Sequence, residues 1–127
     1  MVKLIKSKKF VEKKKIILIE DAAHAIGSYN KNKHAGNLGI AGSFSFSMPK
    51  LITMGQGGAI ITNNSVLAKK LRLYKNFGRK SSGEDVHNHL GYNFKITDMQ
   101  SVLGLGQLRI IKSLMTKKKK IFDRYKN

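Results

Sequence analysis

An acid, an imidazole and an amine stand where the ends of neighbouring strands could bring them together. Asp21 follows the short apolar run Ile16-Ile17-Leu18-Ile19, and His24 comes three residues later. Ser45 and Ser47 lie near the end of a second strand candidate, Gly42 to Ser47, and Lys50 lies just beyond it. In open parallel sheets ligands bind outside the carboxyl ends of the strands. A lysine amine in that crevice can form a Schiff base with an aldehyde. A carboxylate there can keep a pyridine nitrogen protonated, so that the ring accepts electrons from a substrate carbanion. Serine hydroxyls and backbone N–H groups suit a phosphate. Together these are the groups that pyridoxal 5'-phosphate (PLP) chemistry requires.

Each of these residues also has a plain structural reading. Asp21 can cap the segment Ala22 to Ile26, His24 can be a structural histidine, and Lys50 is one lysine among many. Gly55-Gln56-Gly57-Gly58 reads as a turn entering a strand rather than a phosphate cradle, because no Gly-x-x-x-x-Gly-Lys pattern is present. No residues are set aside for a metal.

The elements that must position these groups follow from the apolar pattern. Residues 3–14 read as the end of a helix. The run Ile16 to Ile19 suits a strand buried on both faces, as in a parallel sheet. Phe44 and Phe46 alternate with serines, and Ala59-Ile60-Ile61-Thr62 makes a third strand, entered through Gly57-Gly58. Asn63-Asn64-Ser65 offers caps for an amphipathic helix from Val66 to Tyr74. Residues 78–91 read as a loop. Thr97 with Gln100 has capping-box spacing, and the helix after it carries Gly104 and Gly106, which suggest close packing against a neighbour. Leu114 to Tyr125 reads as a further helix. Strands alternating with helices indicate an α/β class with a largely parallel sheet.

Composition narrows the function classes. The 127 residues can form one small domain, and 41% of them are hydrophobic. There is no cysteine, which excludes disulfides, thiolate metal sites and thiol nucleophiles and fits a reducing cytoplasm. No apolar run approaches the length of a membrane span. The net charge of +18 raises the possibility of nucleic-acid binding. Its make-up argues otherwise: the arginines are only Arg72, Arg79, Arg109 and Arg124, and clusters such as Lys117 to Lys120 lack interleaved aromatics. The lysines read as solvated helix faces.

Four blocks in order resemble the DegT/DnrJ/StrS family of PLP-dependent sugar aminotransferases. Ile19-Glu20-Asp21-Ala22-Ala23-His24-Ala25-Ile26-Gly27 is like the family's E-D-A-A-(H/Q)-A-x-G. Gly42 to Lys50 is like its F-S-F-x-x-x-K, Ile52 to Gly58 is like I-T-T-G-E-G-G, and Leu90 to Gln100 is like L-G-Y-N-x-R-M-T-D-x-Q. The resemblance implies residues 1–127 as part of the large domain of a fold-type-I PLP transferase, α/β with a mostly parallel sheet and flanking helices. It implies Lys50 as the Schiff-base lysine and proton shuttle, Asp21 as the pyridinium partner, His24 beside the cofactor ring oxygen, and Ser45 as a phosphate ligand. It implies that Asn93 reaches the phosphate of a neighbouring subunit's cofactor, hence a homodimer.

The implied substrates are a nucleotide-linked keto sugar and an amino-acid donor, glutamate. Blocks three and four look closest to perosamine-synthase-like members. Gln56 replaces the usual glutamate, and Pro49 precedes the lysine where a small polar residue is common. Family members also carry an N-terminal phosphate-binding turn with a stacking aromatic and a C-terminal small domain. The expectation is that this chain lacks both, is inactive alone, and pairs with itself or with a complementing chain. The rival readings are a non-catalytic remnant of the fold and a basic nucleic-acid-binding protein.

Overall fold

A computed structural model of the chain describes residues 10–81, 83 and 85–126. Residues 10–13 are helical, so the first expected helix is seen only at its end; residues 3–9 lie outside the described residues. That helix closes through Lys15, whose φ of 56° places it in the left-handed region. The Lys15 N–H donates to Glu12 O (3.1 Å) and the Ile16 N–H to Val11 O (2.8 Å), the paired bonds of a Schellman cap.

The cap explains a correction. The strand expected over Ile16 to Ile19 begins only at Ile19, because Ile16 is taken by the helix end and Ile17 by the connection. The run is also not buried on both faces: Ile17 is 71% exposed, and Ile16 and Ile19 are exposed too.

Among the described residues five short strands follow, β1 (Ile19–Asp21), β2 (Tyr29–Asn30), β3 (Lys33–His34), β4 (Ala41–Ser45) and β5 (Gly58–Ile61). Three helices come after them, α1 (Ser65–Lys75), α2 (Asp98–Arg109) and α3 (Ile111–Lys126). The main sheet has the order β1-β4-β5. Its β1–β4 pair is parallel, with Asp21 opposite Ser43. Its β4–β5 pair is antiparallel, with Ser43 opposite Ile60 and Ser45 opposite Gly58. The class is α/β, as the spacing predicts, and the described sheet is mixed. The β4–β5 link contains no crossover helix, so β5 returns beside β4 in the opposite sense. The β2–β3 hairpin was not expected; its tight turn uses Lys31 at φ 52°.

Because side chains alternate across a sheet, the register sorts the residues into two faces. Glu20, Gly42, Phe44, Ala59 and Ile61 lie on one; Ile19, Asp21, Ala41, Ser43, Ser45 and Ile60 lie on the other. The first face is covered. His34 of β3 tilts over Phe44 with ring centroids 5.6 Å apart, and Phe44, Ala35 and Leu38 are all buried. Gly42 is required here: a Cβ on it would meet the Gly36 backbone at 2.3 Å.

Glu20 is the buried charged side chain among the described residues, 5% exposed. It accepts three backbone N–H bonds: Gly36 to Oε2 (2.9 Å), and Leu38 (2.6 Å) and Gly39 (2.8 Å) to Oε1. A carboxylate fully satisfied in this way ties the 36–39 segment to β1.

The helices carry their expected signals. Asn64 Oδ1 caps α1 by accepting from the Leu67 N–H (3.0 Å). Thr97 and Gln100 form the full capping box at α2. Gly104 packs under Met54, whereas Gly106 has nothing within 4 Å of where a Cβ would lie. The close-packing expectation therefore holds for Gly104 and not for Gly106. The last helix begins earlier than Leu114, because α2 and α3 are separated only at Ile110.

The Glu20 clamp yields a measurable expectation. Glu20→Ala strands three N–H groups and should destabilise the chain by about 3 kcal/mol. Glu20→Gln keeps the volume and part of the acceptor capacity, and should cost about half of that. Urea midpoints of the two variants test the order; a midpoint unmoved by Glu20→Ala would remove the clamp as a source of stability.

Candidate active site

The parallel pairing of β1 with β4 brings the expected groups to one end of the sheet. Asp21 ends β1 and Ser45 ends β4, and both belong to the face opposite Glu20. Glu20 and Asp21 are adjacent in sequence and lie on opposite faces: the first is buried, the second exposed.

Two turns carry His24 and Lys50 beyond the strand ends. Residues 22–27 form successive turns rather than a helix, with the Ala25 N–H donating to Ala22 O and the Ser28 N–H to Ala25 O, both at 2.9 Å. Asp21 Oδ1 accepts from the Ala23 N–H (3.0 Å), so the capping reading of Asp21 is present in part. Its second carboxylate oxygen makes no hydrogen bond among the described residues. The turn closes on Gly27 (φ 75°), whose N–H donates to His34 Nε2 (2.9 Å). That bond fixes His34 with its proton on Nδ1, which points to Ala35 O at 2.5 Å.

After β4 the chain makes a closed excursion. The Phe46 N–H donates to Gly57 O (2.8 Å) and Phe46 O accepts from the Met54 N–H (2.9 Å) and from Thr53 Oγ1 (3.3 Å). Within it the Lys50 N–H donates to Ser47 O (3.1 Å). From this turn the half-buried Lys50 side chain reaches across to β1's loop, where Nζ donates to His24 Nε2 at 2.7 Å. Ser45 Oγ and Ser47 Oγ lie 3.1 Å apart, and the Ser47 N–H points at Ser45 Oγ (3.3 Å). Ser47 thus joins Ser45 as a candidate phosphate hydroxyl; its alternation with Ser45 in the sequence is the signal that marks it.

Asn93 stands elsewhere. It pairs with Asn76 in an isolated antiparallel bridge at the end of α1, between Tyr92 and Phe94, whose rings stack at 5.1 Å. No hydrogen bond among the described residues links it to Lys50, His24, Asp21 or Ser45. The segment beside it holds a group that sequence reasoning missed: Arg79 and Lys95 each stand 4.8 Å from the centre of the Phe77 ring. Arg79 also pairs with Asp85 at 3.6 Å, a weak pair because Asp85 is 98% exposed. The long sequence separation of Arg79 and Lys95 hides this group from any local pattern. Gly55 to Gly58 behaves as a turn, with Gln56 O accepting from Gln100 Nε2 (3.0 Å). A groove of about 1330 Å³ lined by Ile60, Leu71, Tyr92, Phe94 and Gln100 contains none of Lys50, Asp21, His24 or Ser45.

A lysine, a carboxylate, an imidazole and serine hydroxyls thus gather at the ends of adjacent parallel strands of an α/β sheet. The chain belongs to the DegT/DnrJ/EryC1/StrS aminotransferase family, whose pattern matches residues 1–127. It is 38% identical over 112 residues to the UDP-4-amino-4,6-dideoxy-N-acetyl-beta-L-altrosamine transaminase of Helicobacter pylori, covering 87% of this chain and 30% of that one. It is 35% identical over 111 residues to the GDP-perosamine synthase of Escherichia coli O157:H7, again covering 87% and 30%. The solved PLP form of the putative sugar aminotransferase Spr1654 of Streptococcus pneumoniae superposes with a TM-score of 0.79 at 32% identity, over 87% of this chain and 30% of that one. The chain spans about 30% of the length of the curated relatives it matches. Among the described residues, no helix is long and apolar enough to cross a membrane.

Asp21→Asn preserves an acceptor for the Ala23 N–H and changes an exposed side chain. Its unfolding free energy should stay within about 0.5 kcal/mol of the parent. A larger loss in urea unfolding would mean that the carboxylate charge holds the turn together.

Proposed function

We propose that this chain forms part of the PLP-binding large domain of an aminotransferase acting on a keto sugar carried on a nucleotide, with glutamate as the amino donor. The observation that carries the proposal is the meeting of Lys50, His24, Asp21 and the Ser45–Ser47 pair at one end of the β1–β4 pair. The donor set fits the cofactor: an amine for an aldehyde, a carboxylate for a ring nitrogen, and paired hydroxyls for a phosphate. When bound, PLP supplies an electron sink for the substrate carbanion.

The chain's own residues do the rest. Lys50 holds the aldehyde carbon and moves a proton at its amine. Asp21, engaged through Oδ1 alone, presents Oδ2 to keep a ring nitrogen protonated. His24 would contact the ring oxygen of the bound group, and Ser45 with Ser47 would hold its phosphate. The sugar-nucleotide class is supported by the names of the Helicobacter and Escherichia relatives, and a perosamine-like product remains within it. The absence of cysteine supports a reducing compartment, the cytoplasm.

Asn93 is assigned to a site shared between two copies. Its exposed position on a segment apart from Lys50 suits a contact made with a second subunit. A structure of the assembled protein should place Asn93 nearer the second copy's cofactor than its own; a phosphate contact made wholly within one subunit would contradict the assignment.

The described residues leave Asp21 and His24 exposed and Ile19 and Ile60 open to water. An open site loses much of the advantage of holding reactants in a reactive geometry. The assembled protein mixed with PLP and reduced with borohydride should carry its pyridoxyl label on Lys50, and the purified 127-residue chain alone, with PLP added, should show no turnover of glutamate. A label on another lysine with Lys50 unmodified would end the cofactor assignment, and turnover by the chain alone would show that the site is complete within it.

A further inference from the structure

We propose that His24 is the resting partner of Lys50, a positioning residue that holds the lysine amine at the end of β4 whenever that amine is not bonded to a carbonyl carbon. The inference rests on the reading of Lys50 as the cofactor lysine and adds a role for its neighbour.

The contact is short, Nζ to Nε2 at 2.7 Å, and joins residues 26 apart in sequence. Both ends are fixed independently of the contact. His24 sits in turns closed by the Ala25 and Ser28 N–H bonds and by the Asp21 side chain. Lys50 sits in a turn closed on Ser47 O, inside the excursion pinched at Phe46. The meeting of the two side chains is therefore set by β1 and β4 lying side by side.

A lysine amine has a flexible four-carbon stem, and when it is not held it samples many rotamers. In transamination it must leave the carbonyl carbon as the substrate amine takes its place, and must later return. A hydrogen-bond acceptor within reach keeps the released amine beside the site. No covalent bond changes in this step; one hydrogen bond is made and broken.

The chemistry of the pair fixes a tautomer. An ammonium has three donors and no acceptor, so His24 Nε2 must accept and the imidazole proton must sit on Nδ1. Long-range proton–nitrogen NMR of the histidine rings, recorded on residues 1–127 without cofactor and with the imidazoles neutral, reads this directly. The four histidines are few enough to resolve, and the signal lost in His24→Gln names the ring. The Nδ1–H pattern is expected for His24 in the parent chain, changing to Nε2–H in Lys50→Met. An Nε2–H pattern in the parent, or a pattern unmoved in Lys50→Met, overturns the proposal.

A second measurement needs no assignment. In trace acetylation followed by peptide mapping, Lys50 should react about three- to tenfold more slowly than solvent-facing Lys31, and His24→Phe should abolish most of the difference. Equal rates in the parent chain overturn the proposal. Labelling of Lys50 by PLP and borohydride is a separate readout: its loss removes the cofactor reading, whereas its persistence beside an Nε2–H His24 removes only the resting contact.

Discussion

The Glu20 carboxylate is the constraint on which the rest of this structure turns. It lies in the middle of a three-residue strand and collects three N–H groups from a segment 16 to 19 residues away. That grip sets residues 36–39 against the sheet, and with them the approach of Gly36 to Gly42 and the cover over Phe44. Strand β4 then enters from Ile40, whose N–H donates to Leu18 O (2.8 Å), and runs parallel to β1. The grouping of the candidate residues follows from this pairing, since Asp21 and His24 leave β1 where Ser45 and Lys50 leave β4. A buried charge would be costly if its acceptors went unmet; here the backbone meets them, and a short strand gains a fixed neighbour.

The parts of the fold that depend on local chemistry were legible in the sequence. Asn64, and Thr97 with Gln100, announce helix starts because a cap is a contact across three residues. Asp21, His24, Ser45 and Lys50 can be placed near two strand ends, where apolar runs give way to polar residues, and the structure brings these four to one end of the sheet, while Asn93 stands apart. Contacts between distant segments were hidden. Glu20 reads as the polar end of a strand and is in fact its buried centre, because its partners are N–H groups that no residue type reveals. The run Ile16 to Ile19 reads as a strand, but the left-handed Lys15 spends its first residues on a helix cap. The direction of β5 depends on what its link to β4 folds into, and that link holds the turn of Lys50 and no helix.

Charge and exposure divide the molecule between two kinds of surface. The lysine-rich α3 meets water through its cations and also through Ile121, Phe122 and Tyr125. The sheet face carrying Ile19 and Ile60 meets water through hydrocarbon, and it is the same face that carries Asp21 and Ser45. One side of the sheet is thus finished by the loop that Glu20 holds, while Ile19, Ile60 and Asp21 on the other side are exposed.

The pinch at Phe46 has a mechanical meaning. Its N–H and carbonyl both close on the far limb of the excursion that bears Lys50, so the backbone there is a loop anchored at its neck. A side chain attached to such a loop moves as an arm on a fixed post, and its travel comes from its own rotatable bonds rather than from the chain beneath it. The number of residues between the anchors is then under tight control, because adding one would shift the post. The identity of those at the tip is not: Met48 is 71% exposed, and Pro49 beside it is exposed as well. Variation in this stretch should therefore appear as substitutions beside the lysine and not as insertions or deletions around it.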